Sequence, residues 1–315
     1  MARPSPTDPT LTPAALAIVA GLALLVAVRV RTARRRGERI GRWQGAALAG
    51  AVVLMAIVLV SPIATLAGGY LLTAHLVQVM VVMGFVPPLL LLGLPRPDPG
   101  RRRRRLLRVA HAVAVHPAVA IVVVNAVLFA WHDPAIYDGA LAHPDVYALQ
   151  VASLLAVSIA FWWPIVEPDG PGRASLSPLL KLGYILLATI PQTFAGLVFA
   201  LAHHPFYDGY RSAPAVLGLD HVSDQQIAGA CMALVSKLAL FGAFSVILWR
   251  MFDGDAIDDE ASDDGGGGGG GGGDDDRRPA PAGPTSPAWL HLLEQSPMPE
   301  EPTPQRLREA VPAGR

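Results

Sequence analysis

The sequence predicts an all-α fold: a polytopic membrane bundle of seven transmembrane helices, with the N-terminus outside and the C-terminus in the cytoplasm. Three observations predict it. The chain has 315 residues, 52% of them hydrophobic, with a mean hydropathy of +0.41 and only 16% charged residues. A soluble chain of this size carries more charge. The charge is gathered into short runs between apolar blocks, and seven blocks approach the ~20 residues that a span requires. They cover roughly 13–30, 43–66, 71–93, 113–131, 146–165, 180–202 and 226–249.

Orientation follows from the Lys and Arg residues near the span ends. The segments after spans one, three, five and seven hold seventeen of them, including Arg34 to Arg36 and Arg101 to Arg105. The opposite side holds two, Arg3 and Arg211. The first side is therefore expected to be cytoplasmic. An odd number of spans then puts the two termini on opposite sides.

Each block has its own marks. Span one lacks the basic n-region and cleavage site of a signal peptide, so it is expected to be retained. Span two is rich in small residues (Ala46, Ala47, Ala49, Gly50, Ala51), which permits close helix approach. Span three carries one ionisable side chain, His75, with Gln78 three residues on, and meets Pro87-Pro88 in its second half. Two consecutive prolines remove two backbone donors and are expected to break the helix there. An ionisable group inside a span marks a functional site by default. The plainer alternative is an interfacial histidine bonded to a neighbouring helix. Pro191 is expected to kink span six. Trp43, Trp131, Trp162, Trp163 and Trp249 fall near span ends, where amphipathic rings prefer to sit.

The chain divides at Phe252. Residues 1–252 form the transmembrane domain. Residues 253–315 open with an acidic, glycine-rich run that cannot bury a core, and are expected to be a disordered cytoplasmic tail. The single cysteine, Cys231, rules out a disulfide within the chain and any paired-cysteine metal motif.

With this topology the histidines sort by side. His111 and His116 lie at the cytoplasmic end of span four, and His291 lies in the tail. His75, His132, His143, His203, His204 and His221 lie at or near the outer face, together with Asp133, Asp138, Asp145, Asp208, Asp220 and Asp224. Histidine with carboxylate suits a borderline metal such as Cu(II) or Zn(II). The deeper Met80, Met83, Cys231 and Met232 suit Cu(I). Against this, such residues are common in water-facing loops, and no HxxxH or HExxH spacing occurs. Lys237, midway along span seven, is at a place where a retinal Schiff base could form. Neither Ala233 nor the run of span three fits a microbial rhodopsin, and the preferred reading is a paired or snorkelling lysine.

Three stretches together resemble a known family: AHLVQVMVVMGFVPPLLLLGLP (74–95), FAWHDPAIYDGAL with SIAFWWPI (129–141 and 158–165), and HPFYDGY with LDHVSDQQIAGACM (204–210 and 219–232). Their order and spacing resemble the seven-span CtaG-like assembly factors of caa-type cytochrome c oxidases. The resemblance covers residues ~15 to 252. The matching positions are His75, Gln78, Pro88, Trp131, His132, Pro134, Tyr137, Trp163, Pro164, Tyr207, Tyr210, Asp224, Gln225, Gly229 and Met232. The resemblance implies a multi-pass plasma-membrane protein that assists oxidase assembly, with terminal oxidase subunits and membrane lipid as partners and copper handled at the outer face. The ligands it points to are His75 and His132, completed by Asp224 or by His203, His204 or His221. Family members carry histidine where this chain has Val79, Tyr147 and Val151, so any copper is expected to be held weakly.

Other classes are weighed against this reading. A small-solute or metal transporter would line its path with Gln78 and Gln192 of the broken spans. A bis-histidine haem carrier lacks a second histidine clearly within a span. No GxSxG or HExxH motif supports a hydrolase, so no enzymatic activity is expected. No nucleic-acid partner is expected either.

Overall fold

The computed structural model describes residues 5–94, 115–168 and 175–263. Among them there is no strand. Eleven helices follow in order: α1 (Pro13–Arg35), α2 (Arg42–Val60), α3 (Pro62–Ala67), α4 (Leu72–Gly84), α5 (Val86–Gly93), α6 (Pro117–Trp131), α7 (Pro134–Ala142), α8 (Pro144–Val166), α9 (Pro178–Leu201), α10 (Asp208–Arg211) and α11 (His221–Asp263). Six helical stretches are long and apolar enough to cross a membrane, with α4 and α5 acting as one. Taken as one span, the bent pair α6–α7 brings the number to seven. The protein is an all-α polytopic membrane bundle.

Prolines and short polar caps set the boundaries. Thr12, Ser61, Asp133 and Ser177 each precede a proline at the helix start and accept a hydrogen bond from a first-turn amide. Proline costs nothing there, because the amide it lacks has no partner within the helix. This chemistry corrects one expected span and shortens another. The second does not run unbroken from 43 to 66. Ser61, extended before Pro62, ends α2 at Val60 and caps α3. The fourth, expected over 113–131, ends at Trp131 as expected but begins at Pro117, after His116. Its described part, α6, has 15 residues, or about 22 Å of rise. The chain then turns by 68° at His132–Asp133 into α7.

Span three is broken at the proline pair, as expected. The break falls at Phe85, before the prolines, and Pro87 and Pro88 then occupy the first turn of α5. Each proline leaves a carbonyl without its partner four residues earlier, at Met83 and Gly84. Trp162 Nε1 donates to the Met83 oxygen at 3.0 Å. By contrast, Pro191 lies inside α9 and Pro164 inside α8 without ending either helix.

Two apolar clusters fill the bundle. One joins α4, α6, α8, α9 and α11 through Leu76, Met80, Leu128, Leu154, Phe199 and Met232. The other joins α1, α2, α5 and α8 through Leu22, Met55, Leu59, Leu90 and Val151. Glycine allows a close approach between α9 and α11. A Cβ on Gly196 would stand 2.7 Å from the Gly229 carbonyl oxygen, and one on Gly229 would overlap the backbone of Gly196 and Ala200. Of the segment expected to form a tail, residues 264–315 lie outside the described residues, and α11 itself runs on to Asp263. His111 and the arginine run 101–105 lie outside them too.

Candidate functional site

At the end of the bundle away from the basic segments, α4, α6, α8 and α11 meet the loop between α9 and α11 in a buried aromatic cage. α4 begins at Leu72 with no side-chain cap of its own. Asp224, in the first turn of α11, supplies one. Its carboxylate accepts from Leu72 N at 2.6 Å and from Thr73 N at 3.1 Å, and Thr73 Oγ1 donates to the Asp224 carbonyl at 2.9 Å. A carboxylate on the amides of a helix start also answers its positive dipole end. His75, one turn further along α4, is thereby held at a fixed depth.

His75 is 2% exposed and packs against Tyr137 with ring centroids 4.6 Å apart, and against Tyr147 at 6.2 Å. Neither of its ring nitrogens has a hydrogen-bond partner. His132 caps the end of α6, and its Nδ1 donates to the Leu128 carbonyl at 2.6 Å. That bond fixes the tautomer and leaves Nε2 with a lone pair; this nitrogen too is buried without a partner.

A hydroxyl chain frames the pair. Tyr210 donates to the Ala67 carbonyl at 2.5 Å, so Tyr137 is the donor in its 2.7 Å contact with Tyr210. Tyr207 donates to the His132 carbonyl at 3.0 Å and packs edge-on to Tyr137. Burial pushes the Tyr207 hydroxyl up from its ordinary pKa, with Asp138 and Asp133 adding to it. Burial pushes Tyr210 up as well. Both therefore stay protonated donors at neutral pH. Tyr147 donates to Gln78 Oε1, and Gln78 Nε2 donates to the Val58 carbonyl. Tyr147, at a place where the resemblance implies histidine, thus ties α8 through Gln78 to α2.

The recurring motifs find local reasons. In Trp131-His132-Asp133-Pro134, the indole bonds Ser153 Oγ at 2.9 Å, His132 closes α6, and Asp133 caps α7. In Asp224-Gln225-Gln226, the acid caps α4 and the two amides pin the preceding loop. Gln225 takes Phe206 N and gives to His204 O, and Gln226 gives to Ala202 O.

Of the expected site residues, His75 and His132 both border the tyrosine cluster, His75 against Tyr137 and His132 through Tyr207, which packs on Tyr137. Asp224 lies one turn from His75 with both oxygens engaged by backbone amides. His203 and His204 are exposed and His221 is half-buried. His204 packs its ring on Phe206. Among the described residues no three His, Cys, Asp or Glu side chains form a metal-holding group. Lys237 donates to the Ala233 carbonyl of its own helix at 2.7 Å. Three buried polar residues escaped the sequence reading: Gln150, Asn125 and Ser158, each with an unpartnered side-chain atom. Gln150 lies one turn from Tyr147, on the inward face of an apolar helix, and that spacing was the available signal.

No protein of curated function and no solved structure matches the chain. A family model described as cytochrome c oxidase caa3 assembly factor matches residues 24–253. That stretch holds every residue of the cage and both histidines, and the chain belongs to the cytochrome c oxidase caa3 assembly factor family.

Proposed function

We propose that this protein assists oxidase assembly in the plasma membrane by holding copper between His75 and His132 and yielding it to an oxidase subunit at the outer face. The observation that supports this reading is the set of buried imidazole nitrogens without partners, both on His75 and Nε2 on His132. An unpaired buried polar atom costs about 1–3 kcal/mol, and such atoms call for an explanation. A bound ion is one that uses them.

The donor set fits copper in its monovalent state. Imidazole suits copper, and Zn(II) asks for four ligands where the cage offers two free side chains. Copper here is cargo, so weak holding is an advantage. Asp224 acts by positioning His75. His203, His204 and His221, outside the cage at the same end, would meet copper as it arrives or leaves. Equilibrium dialysis of the purified protein against buffered Cu(I) tests this, with His75→Ala and His132→Ala alongside. Weak binding lost in both variants supports it; binding untouched by either substitution rejects the residues chosen.

A metal or small-solute transporter is the second reading, and Asn125, Gln150 and Ser158 favour it, since polar groups within spans mark pathways. The two readings part in a deletion strain. Loss of terminal oxidase activity with unchanged copper uptake supports assembly; loss of uptake supports transport.

A further inference from the structure

At the end of the bundle where the basic segments lie, α5, α8, α9 and α11 leave a cavity of about 580 Å³ between them. Its walls are apolar, with Phe85, Leu89, Trp162, Ile165, Ala243 and Ile247 prominent. The break before Pro87 and the lack of side chains at Gly84 and Gly242 give it width. A Cβ added at Gly242 would meet nothing within 4 Å. Along α11 the lining runs from Ala239 to Met251, a rise of about 18 Å. The cavity therefore reaches from the level of Trp249 and Arg250 deep into the apolar half of the bundle.

Two cations stand on its wall, Lys181 and Arg250. They are not equivalent. Lys181 is paired with Glu167 at 2.7 Å, so its charge is spent. Arg250 is exposed and has no ion pair among the described residues. A guanidinium at the membrane surface, above an apolar slot, presents a fork of donors that matches a phosphate.

Size decides between occupants. The cavity runs about 18 Å along α11, and a membrane-crossing helix needs about 30 Å. A flexible hydrocarbon chain needs no such length. We propose that this cavity is a binding site for an anionic phospholipid, with one acyl chain between α5 and α11 and its phosphate on Arg250. Basic pockets between transmembrane helices are where such headgroups are recognised. The lipid would fill the gap that the Pro87–Pro88 break opens, and would hold α5 against α11.

The test uses the full chain, purified in mild detergent and incubated with an equimolar mixture of phosphatidylglycerol and phosphatidylcholine of identical chains. Native mass spectrometry reads the retained lipid. One phosphatidylglycerol per chain is expected, favoured about fivefold, the factor that one surface cation contributes. Arg250→Gln is expected to remove the preference while leaving lipid bound. Ala243→Phe, which fills the cavity, is expected to remove both lipids while circular dichroism stays unchanged. Equal retention of the two lipids by the unaltered protein overturns the proposal. So does a preference that survives Arg250→Gln, or a co-purifying membrane helix in place of lipid. If Ala243→Phe fails to fold, Arg250→Gln alone decides.

Discussion

The indole Nε1 of Trp162 stands 3.0 Å from the carbonyl oxygen of Met83 and donates to it. That acceptor is the one Pro87 leaves without its helical partner. A side chain on α8 thus takes up one of the two carbonyls freed in the broken third span. Inside a membrane no water can take up that group. Trp162→Phe keeps most of the ring and removes the donor. It is expected to cost about 1–3 kcal/mol by leaving the oxygen unsatisfied, seen as a lower unfolding midpoint in detergent. An unchanged midpoint would show that another group takes over the acceptor.

The approach of Gly196 to Gly229 makes a second prediction. With no Cβ on either, α9 and α11 meet backbone to backbone. Gly229→Ala puts a methyl against the carbonyl of Gly196 and the amide of Ala200. Both are backbone atoms and cannot swing aside. The variant is expected to lose about 1–3 kcal/mol by overpacking. Gly242→Ala, on the same helix with open space around it, is expected to be neutral. A thermal melt of the pair checks the contrast.

Asp224 was legible as a residue of this outer site, but its work was not. The sequence shows a carboxylate at the depth of His75. It does not show that α4 starts at Leu72 without a cap, and so needs an acceptor from elsewhere. The same gap hid Tyr147, which reads as a lost ligand until Gln78 is found beneath its hydroxyl. The seven spans were visible because span length and hydropathy are properties of consecutive residues. The resemblance already put His75 and His132 ahead of His203 and His204; what the sequence hid is the packing that buries the His75 ring and the His132 Nε2 while leaving His203 and His204 exposed. Asp224→Ala is expected to destabilise by about 1–3 kcal/mol, while Asp224→Asn, which keeps one acceptor, retains part of that. If Asp224 were instead a direct copper ligand, Asp224→Asn would abolish copper binding at full stability, and that pair of measurements separates the two roles.

The tyrosine hydroxyls give a pH dependence. The folded pKa of Tyr207 and Tyr210 is raised above the ordinary tyrosine value of about 10, chiefly by burial. A raised pKa means that the fold favours the protonated form. Their contribution is fully present below the unfolded value near 10, and is lost as pH rises from there toward the folded pKa. Stability is thus expected to be insensitive to these groups between pH 7 and about 9.5 and to fall above it. Melting temperatures of the unaltered protein, Tyr207→Phe and Tyr210→Phe across this range test it. Each substitution should flatten the alkaline fall, whatever it does to stability at pH 7.

Topology is the most direct prediction, because the helices alone do not say which end faces the cytoplasm. The basic residues do. Arg29, Arg31 and Arg34 to Arg36 close α1, and Arg39 and Arg42 lead into α2. Lys181 opens α9, and Arg250 lies near the end of the apolar stretch of α11. The opposite ends carry Arg211, which is paired with Asp208 at 3.0 Å and so presents little free charge. Positive residues near span ends stay in the cytoplasm, which predicts the histidine cage on the outer side and the Arg250 cavity on the cytoplasmic side. A reporter that is active only in the cytoplasm, fused after residue 270, is expected to be active. The same reporter fused before α1 is expected to be silent. The reverse pattern would invert the protein, and would place His75 and His132 on the side away from the face where the proposed delivery occurs.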